Sequence, residues 1–150
     1  MKGWKQIFQA NWQEKKKKAG VAIVISDKID FQRRAIKWHP EGHFIILKER
    51  IHQEDINIVN IYAPNIGALK YIKKILEDFR KHIDSNTITV GDFNTPLSKM
   101  DRYSKQNINK DIVSLNNTLE EMDLTDKYRA YHPKKQNTHC FQVYMELFQT

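Results

Sequence analysis

The chain has 150 residues, 40% of them hydrophobic, and a formal net charge of +7. This length and apolar content suit a single domain with its own core. The single cysteine, Cys140, excludes an intrachain disulfide and a cysteine-based metal site, and predicts a reducing nuclear or cytoplasmic location. The basic excess suits a polyanionic partner such as DNA, although charge alone leaves other partners open.

No membrane association is predicted. The first six residues lack the apolar core of a signal peptide. The longest apolar run, residues 21–25, is far too short to span a bilayer.

Three strands are predicted in the first half of the chain. Residues 19–25 form a β-branched run that predicts a buried strand, and residues 42–47 predict a second. A third strand covers residues 56–62 and stops at the turn of residues 63–65. Alternation places Asn60 and Tyr62 on one side of that strand, at its carboxyl end.

The period changes to that of a helix after residue 66. Its apolar stripe consists of Leu69, Ile72, Ile75, Leu76, Phe79 and Ile83. Residues 87–90 then predict a strand that leads into Gly91. A second helix follows a polar loop, with Ile112, Leu115, Leu119 and Met122 on one face. Strands alternating with helices indicate an α/β layered domain.

The most specific local feature is the segment that carries Asp92 and Asn94. In an extended chain these two side chains project to one side, and Phe93 projects to the other, into apolar packing. Gly91 permits a close approach of another backbone or a substrate. A carboxylate there can position a water or hold a hard cation, and an amide can donate to a phosphate oxygen. The alternative is that Asp92 and Asn94 merely form an Asx turn after the strand.

The remaining polar candidates have weaker support. The phenol of Tyr62 could donate to a phosphate, but interfacial packing explains a tyrosine equally well. Three basic clusters could follow a DNA backbone, yet a solvated face is favoured for each: Lys15 to Lys18, Arg33 with Arg34, and Lys73 with Lys74. Four scattered histidines lack the spacing of a metal site and receive no role: His39, His43, His52 and His82.

Five segments, taken in order, resemble those of the endonuclease/exonuclease/phosphatase superfamily, and most closely the endonuclease domain of LINE-type retrotransposons. They are residues 17–23, 60–65, 91–97, 100–102 and 123–133. The resemblance covers about residues 2–137 and defines a partial domain over residues 1–137. Residues 138–150 form a tail that does not match, and we expect this tail to be translated from a shifted reading frame.

The resemblance implies an incomplete four-layer α/β/β/α sandwich of the DNase I-like type, and Mg²⁺-dependent nicking of DNA. Carried over position by position, Tyr62 would contact the scissile phosphate. Asp92 would orient the attacking water or its base, and Asn94 would bind a phosphate oxygen.

Two departures from the family predict a catalytically incomplete domain. The chain begins after the family's catalytic Asn and its metal-binding Glu, and it stops before the family's late Asp and its Ser-Asp-His segment. We therefore expect a fragment of a DNA endonuclease domain. The alternative is a non-catalytic remnant with at most non-specific nucleic-acid binding, and a small-molecule or lipid phosphatase is disfavoured.

Overall fold

The computed structural model describes residues 4–10, 20–95, 110–125 and 131. In chain order these residues form β1 (Trp4–Ala10), β2 (Val21–Ser26), β3 (Phe31–Trp38), β4 (Phe44–Ile51), β5 (Glu54–Tyr62), α1 (Ala68–Phe79), β6 (Thr87–Asp92) and α2 (Lys110–Glu121). A short 3₁₀ turn, Arg80–His82, follows α1 directly. Neither described helix has the length and apolar character needed to cross a bilayer.

The strands form two sheets. β1 and β2 pair antiparallel as a two-stranded sheet, and the second sheet has the order β3-β4-β5-β6. Within it β5 and β6 run parallel, and α1 makes the crossover between them that a parallel pair requires. The other two pairings are antiparallel.

One face of the four-stranded sheet packs on the helices, and we call it the helix face. The apolar stripe of α1 supplies Ile72, Ile75, Leu76 and Phe79 to this layer, and α2 adds Leu115. The strands meet them with Phe44, Ile46, Val59 and Ile61. Since both helices lie on this face, they form one layer against one side of the sheet.

The opposite face, which we call the inner face, packs on the sheet of β1 and β2. Ile45 and Leu47 are fully buried there. They contact a cluster made of Phe8, Ala10, Val21, Ile23, Ile25 and Phe31. The described residues thus supply three layers, in the order helices, four-stranded sheet and two-stranded sheet. The α/β class is confirmed, whereas the fourth layer of the sandwich stays a prediction.

The structure differs from the sequence-based expectation at several elements. β1 and β3 were not predicted. The strand expected to be buried, β2, buries only alternate residues, because the outer face of its sheet is covered by none of the described residues. On that outer face Ile7 pairs with Val24, and both are exposed. α1 ends at Phe79, so Ile83 lies beyond the helix.

Candidate active site

The register of the parallel pair is set at its amino end by a polar network. The buried amide Nδ2 of Asn57 donates to Asp84 Oδ2 at 2.9 Å, and the backbone N–H of Asn57 donates to the Asn86 carbonyl at 2.9 Å. The hydroxyl of Thr87 in turn donates to Asp84 Oδ1 at 2.9 Å. These contacts place Asn57 opposite Thr87.

The same register brings Tyr62 and Asp92 together at the carboxyl ends of the two strands. Counting along both strands from Asn57 and Thr87 makes Tyr62 the partner of Asp92. Paired residues of neighbouring strands project to the same side, with a backbone separation of about 4.8 Å. Tyr62 packs against the inner-face cluster, so Asp92 also lies on the inner face. Both side chains are half-buried.

Gly91 makes this close approach of the two strands possible. Its φ of +140° is a conformation that other residues rarely adopt. A Cβ at this position would overlap the carbonyl oxygen of Ile61 and would lie 2.8 Å from both its carbonyl carbon and its nitrogen. The glycine expected from the sequence to permit a close backbone approach does so, and the neighbour is Ile61 of β5.

The expectation that the chain stays extended from Asp92 to Asn94 is wrong. β6 ends at Asp92, and Asn94 adopts a left-handed conformation with a φ of 45°. The backbone N–H of Asn94 donates to Asp92 Oδ1 at 3.0 Å, so the Asx turn that was the alternative interpretation is present. Phe93 projects into the helix-face core as expected and is fully buried.

The turn carries the Asn94 amide back toward β5. Its Nδ2 donates to the Ala63 carbonyl at 2.6 Å, and the Ala63 N–H donates to the Asp92 carbonyl at 2.9 Å. The structure thus brings Tyr62, Asp92 and Asn94 to one edge of the sheet. The Asx turn engages one carboxylate oxygen of Asp92, and an amide has a second N–H left after the bond to Ala63.

His43 belongs to this edge and received no role from the sequence. Its carbonyl accepts the Tyr62 N–H at 2.7 Å, and its Nδ1 lies 3.0 Å from the Tyr62 carbonyl, to which it can only donate. The two rings stack with centroids 6.2 Å apart and planes 15° apart. Histidine spacing gave no signal for this, because the contact arises from the pairing of β4 with β5.

α1 begins at the same edge. The ring of Tyr71, in its first turn, lies 5.4 Å from the ring of His43. The helix has no side-chain cap at Gly67 and no acidic residue in its first turn, so its positive dipole end is not neutralised there. Burial, and then the charge of Glu41, raise the pKa of Tyr71, whose buried hydroxyl has no hydrogen-bond partner.

The other sequence candidates have structural or solvent-facing positions. Asn60 shares the inner face with Tyr62, and its Nδ2 donates to the Ala22 carbonyl at 2.9 Å, which ties the two sheets together. Arg33 and Arg34 are exposed, and Lys73 donates to the Ser114 hydroxyl at 2.7 Å. The lysine run of residues 15–18 lies outside the described residues.

A resident Mg²⁺ does not fit the side chains that the structure brings together. Mg²⁺ favours an octahedral shell of oxygens that includes one or two carboxylates. Across residues 4–10, 20–95, 110–125 and 131, no three His, Cys, Asp or Glu side chains come together as a metal site. No chemical step is therefore assigned to a metal here.

No family model matches the chain. Among solved structures it is similar to the endonuclease domain of TRAS1, a telomere-specific non-LTR retrotransposon, with a TM-score of 0.55 and 17% identity over 80% of this chain and 53% of that one. It is also similar to a β-hairpin deletion mutant of β toxin from Staphylococcus aureus, with a TM-score of 0.46 and 10% identity over 83% and 53% of the two chains. The chain spans about half the length of both structures. The first likeness shows a nuclease-like fold, that of a retrotransposon endonuclease domain, over 80% of this chain.

Proposed function

We propose that this chain is a fragment of the Mg²⁺-dependent DNA endonuclease domain of a LINE-type retrotransposon polyprotein, and that it is catalytically incomplete. The observation that supports this most directly is the pairing of Tyr62 with Asp92 at the carboxyl end of parallel strands, beside the Asn94 amide. α/β folds commonly place their ligands at this end of a parallel pair. The endonuclease-like fold adds independent support.

Each of the three side chains has a chemical role in phosphodiester cleavage that its position allows. The carboxylate of Asp92 would accept a proton from, or orient, the attacking water. The phenol of Tyr62 would donate to a non-bridging oxygen of the phosphate, and the free N–H of Asn94 to another. These donors would stabilise the charge that develops in the transition state, while Asp92 supports the nucleophile.

The proposed inactivity rests on the lack of a metal-ligand cluster among the described residues. General acid–base catalysis typically contributes about 10²–10⁴-fold, and a catalytic metal adds several kcal/mol of charge stabilisation. With no fitting metal site among the described residues, we expect the chain to nick supercoiled plasmid at no more than about a hundredth of the rate of an intact domain.

A supercoiled-plasmid assay with Mg²⁺ tests the proposal, comparing the chain with Asp92→Ala. Asp78→Ala is the matched control, because it removes an exposed carboxylate from α1, away from the site. Nicking that disappears in Asp92→Ala and persists in Asp78→Ala would establish an enzyme and overturn the inactivity. Equal nicking by all three proteins would contradict the role of Asp92.

The alternative function is that of a non-catalytic remnant that binds nucleic acid non-specifically. The net charge of +7 favours it. Salt-sensitive retention of DNA without nicking would support this alternative.

Residues 138–150 lie outside the described residues, and their shifted-frame origin is checked by translating the encoding DNA beyond residue 136 in the other two frames. A Ser-Asp-His segment in neither frame would count against it.

A further inference from the structure

We infer that the protonation state of Glu49 controls whether the two-stranded sheet stays attached to the four-stranded sheet. With the carboxyl group protonated the two sheets stay packed. With the carboxyl group ionised the sheet of β1 and β2 separates, while the helix layer stays in place. This pH-dependent opening goes beyond the proposed nuclease function and does not depend on it.

Glu49 lies between the two sheets. Along β4 it follows Ile45 and Leu47 at alternate positions, and both of these belong to the inner-face cluster, so its side chain projects from the same face. The residue is only 1% exposed. The two-stranded sheet is the described layer on this face, and both of its strands contact β4. Glu49 is therefore a carboxyl group enclosed at the interface of the sheets.

The carboxyl group has no partner that would justify its burial. Neither oxygen has a hydrogen-bond partner among the described residues. Asn60, a polar residue on the same face, differs because its Nδ2 donates to the Ala22 carbonyl. An unpartnered polar group costs free energy when it is buried, and an unpaired charge costs far more. Separation of the sheets would admit water to Glu49 and remove this cost.

The elements around Glu49 bring little charge to offset an ionised carboxylate. From β3, Arg33 is paired with Glu49, but its side chain is exposed and its guanidinium carbon lies 5.8 Å from the centroid of the Phe8 ring. From β5, the paired residue is Ile56, and Glu54 on the same face carries a like charge and is exposed. The residues that β1 and β2 bring to the cluster are apolar: Phe8, Ala10, Val21, Ile23 and Ile25.

The neighbours of Glu49 within β4 do not offset its charge either. Alternation directs Lys48 and Arg50 to the opposite face, where Arg50 donates to Asp55 at 2.8 Å. Burial raises the pKa of Glu49 from 4.5 to about 7. The packed state therefore holds the proton more tightly than the open state. It is fully favoured below pH 4.5 and loses this advantage as the pH rises through about 7.

The two-stranded sheet is the part of the described fold that can separate alone. The helices pack through a different cluster, on the other face, to which β1 and β2 contribute no residue. The two-stranded sheet is attached through the inner-face cluster and the bond from Asn60 to Ala22. Tyr62 is a partly buried member of this cluster, so the opening would also uncover one side of Tyr62.

The test is native-state hydrogen exchange of the chain between pH 5 and pH 8, with each rate corrected for the pH dependence of exchange in an unfolded peptide. We expect the amides of β1 and β2 to lose about a hundredfold in protection across this range. They should exchange faster than the amides of α1 at every pH, with a weak dependence on urea, because little surface is exposed by a local opening.

Two substitutions remove the titrating group. Glu49→Gln keeps a polar side chain of the same size, and Glu49→Leu replaces it with an apolar one. In both variants the protection of β1 and β2 should not vary with pH. Glu54→Gln is the matched control, since Glu54 is an exposed carboxylate on the same face, and it should behave as the unchanged chain does. Circular dichroism at pH 5 establishes that each variant is folded.

Three results would overturn the inference. The first is protection of β1 and β2 that does not vary with pH in the unchanged chain. The second is the same variation with pH in Glu49→Gln. The third is equal protection of α1 and of β1 and β2, with the same steep dependence on urea, which would mean that the chain unfolds as a whole. Because the measurement needs neither DNA nor Mg²⁺, each of these results would leave the endonuclease proposal intact.

Discussion

At the carboxyl ends of β5 and β6, the two faces of the four-stranded sheet carry different kinds of residue. On the helix face Ile61 and Phe93 are fully buried, and Gly91 leaves no space for a side chain. On the inner face the next residues in the chain, Tyr62 and Asp92, are half-buried and polar. Neighbouring residues of one strand thus serve either the core or the candidate site, according to the side on which they project.

At these strand ends, residues that stabilise the core and residues of the candidate site therefore lie next to one another in the chain but on opposite faces of the sheet. The helix face is closed by two helices, whereas the inner face is covered by the two-stranded sheet, whose main contacts are with β4 and β5. Changes on the helix face should therefore lower the free energy of unfolding. Changes at the polar residues of the inner face should instead alter the pH dependence of stability, the attachment of the second sheet or binding, with smaller effects on the free energy of unfolding.

The largest effect is expected from Gly91→Ala. The new methyl group would meet backbone atoms of Ile61, which cannot rotate away, at a φ that alanine rarely adopts. Backbone strain and overpacking each cost about 1–3 kcal/mol, so we expect a loss of about 4 kcal/mol in the free energy of unfolding, measured by urea denaturation. Gly20→Ala is the control, since its Cβ would meet only the Ala10 carbonyl oxygen, at 3.9 Å. Similar losses in both variants would contradict this account of Gly91.

Much of the helix face could be predicted from the sequence, because burial there has a clear period. The stripe of α1 and the strand before it were both recognised from alternating or helical spacing. β3 escaped recognition because it is an edge strand with four consecutive exposed residues, and a bulge between Arg33 and Ala35 interrupts its alternation. β1 is likewise an edge strand with polar residues among its apolar ones.

The candidate site was only partly predictable. Residue type and order in the chain singled out Tyr62, Asp92 and Asn94. Their spatial relation depends on the parallel register, which no local pattern contains, and the Asx turn at Asn94 replaced the extended chain that alternation suggested. His43 could not be found, because its contacts with Tyr62 exist only once β4 and β5 are paired.

A second prediction concerns Glu49, a carboxyl group buried on the inner face. It is only 1% exposed, and neither oxygen has a hydrogen-bond partner. Burial raises its pKa from 4.5 to about 7. A raised pKa means that the folded state holds the proton more tightly than the unfolded state. The stability due to this proton is therefore fully present below pH 4.5 and is lost as the pH rises through about 7.

The expected loss across this pH range is about 3 kcal/mol, since each tenfold difference in proton affinity corresponds to about 1.4 kcal/mol. Urea denaturation of the chain and of Glu49→Gln, each across this pH range, measures this loss. It is the change with pH in the difference between their free energies of unfolding. Glu54→Gln is the control, because Glu54 is an exposed residue of β5. If the difference in free energy of unfolding between the chain and Glu49→Gln did not vary with pH, Glu49 would titrate in the folded protein as it does in water.

The smallest effect is expected from Asn60→Ala, which tests how the inner face holds the second sheet. The lost hydrogen bond to the Ala22 carbonyl should lower the free energy of unfolding by about 1 kcal/mol. Because this bond joins β5 to β2, hydrogen exchange should accelerate at the amides of β2 and remain slow in α1. Asn65→Ala, in the exposed turn after β5, is the control and should change neither the free energy of unfolding nor the rate of hydrogen exchange. If exchange in α1 accelerated as much as in β2, the helix layer and the two-stranded sheet would unfold together. The two faces of the four-stranded sheet would then not differ in local stability.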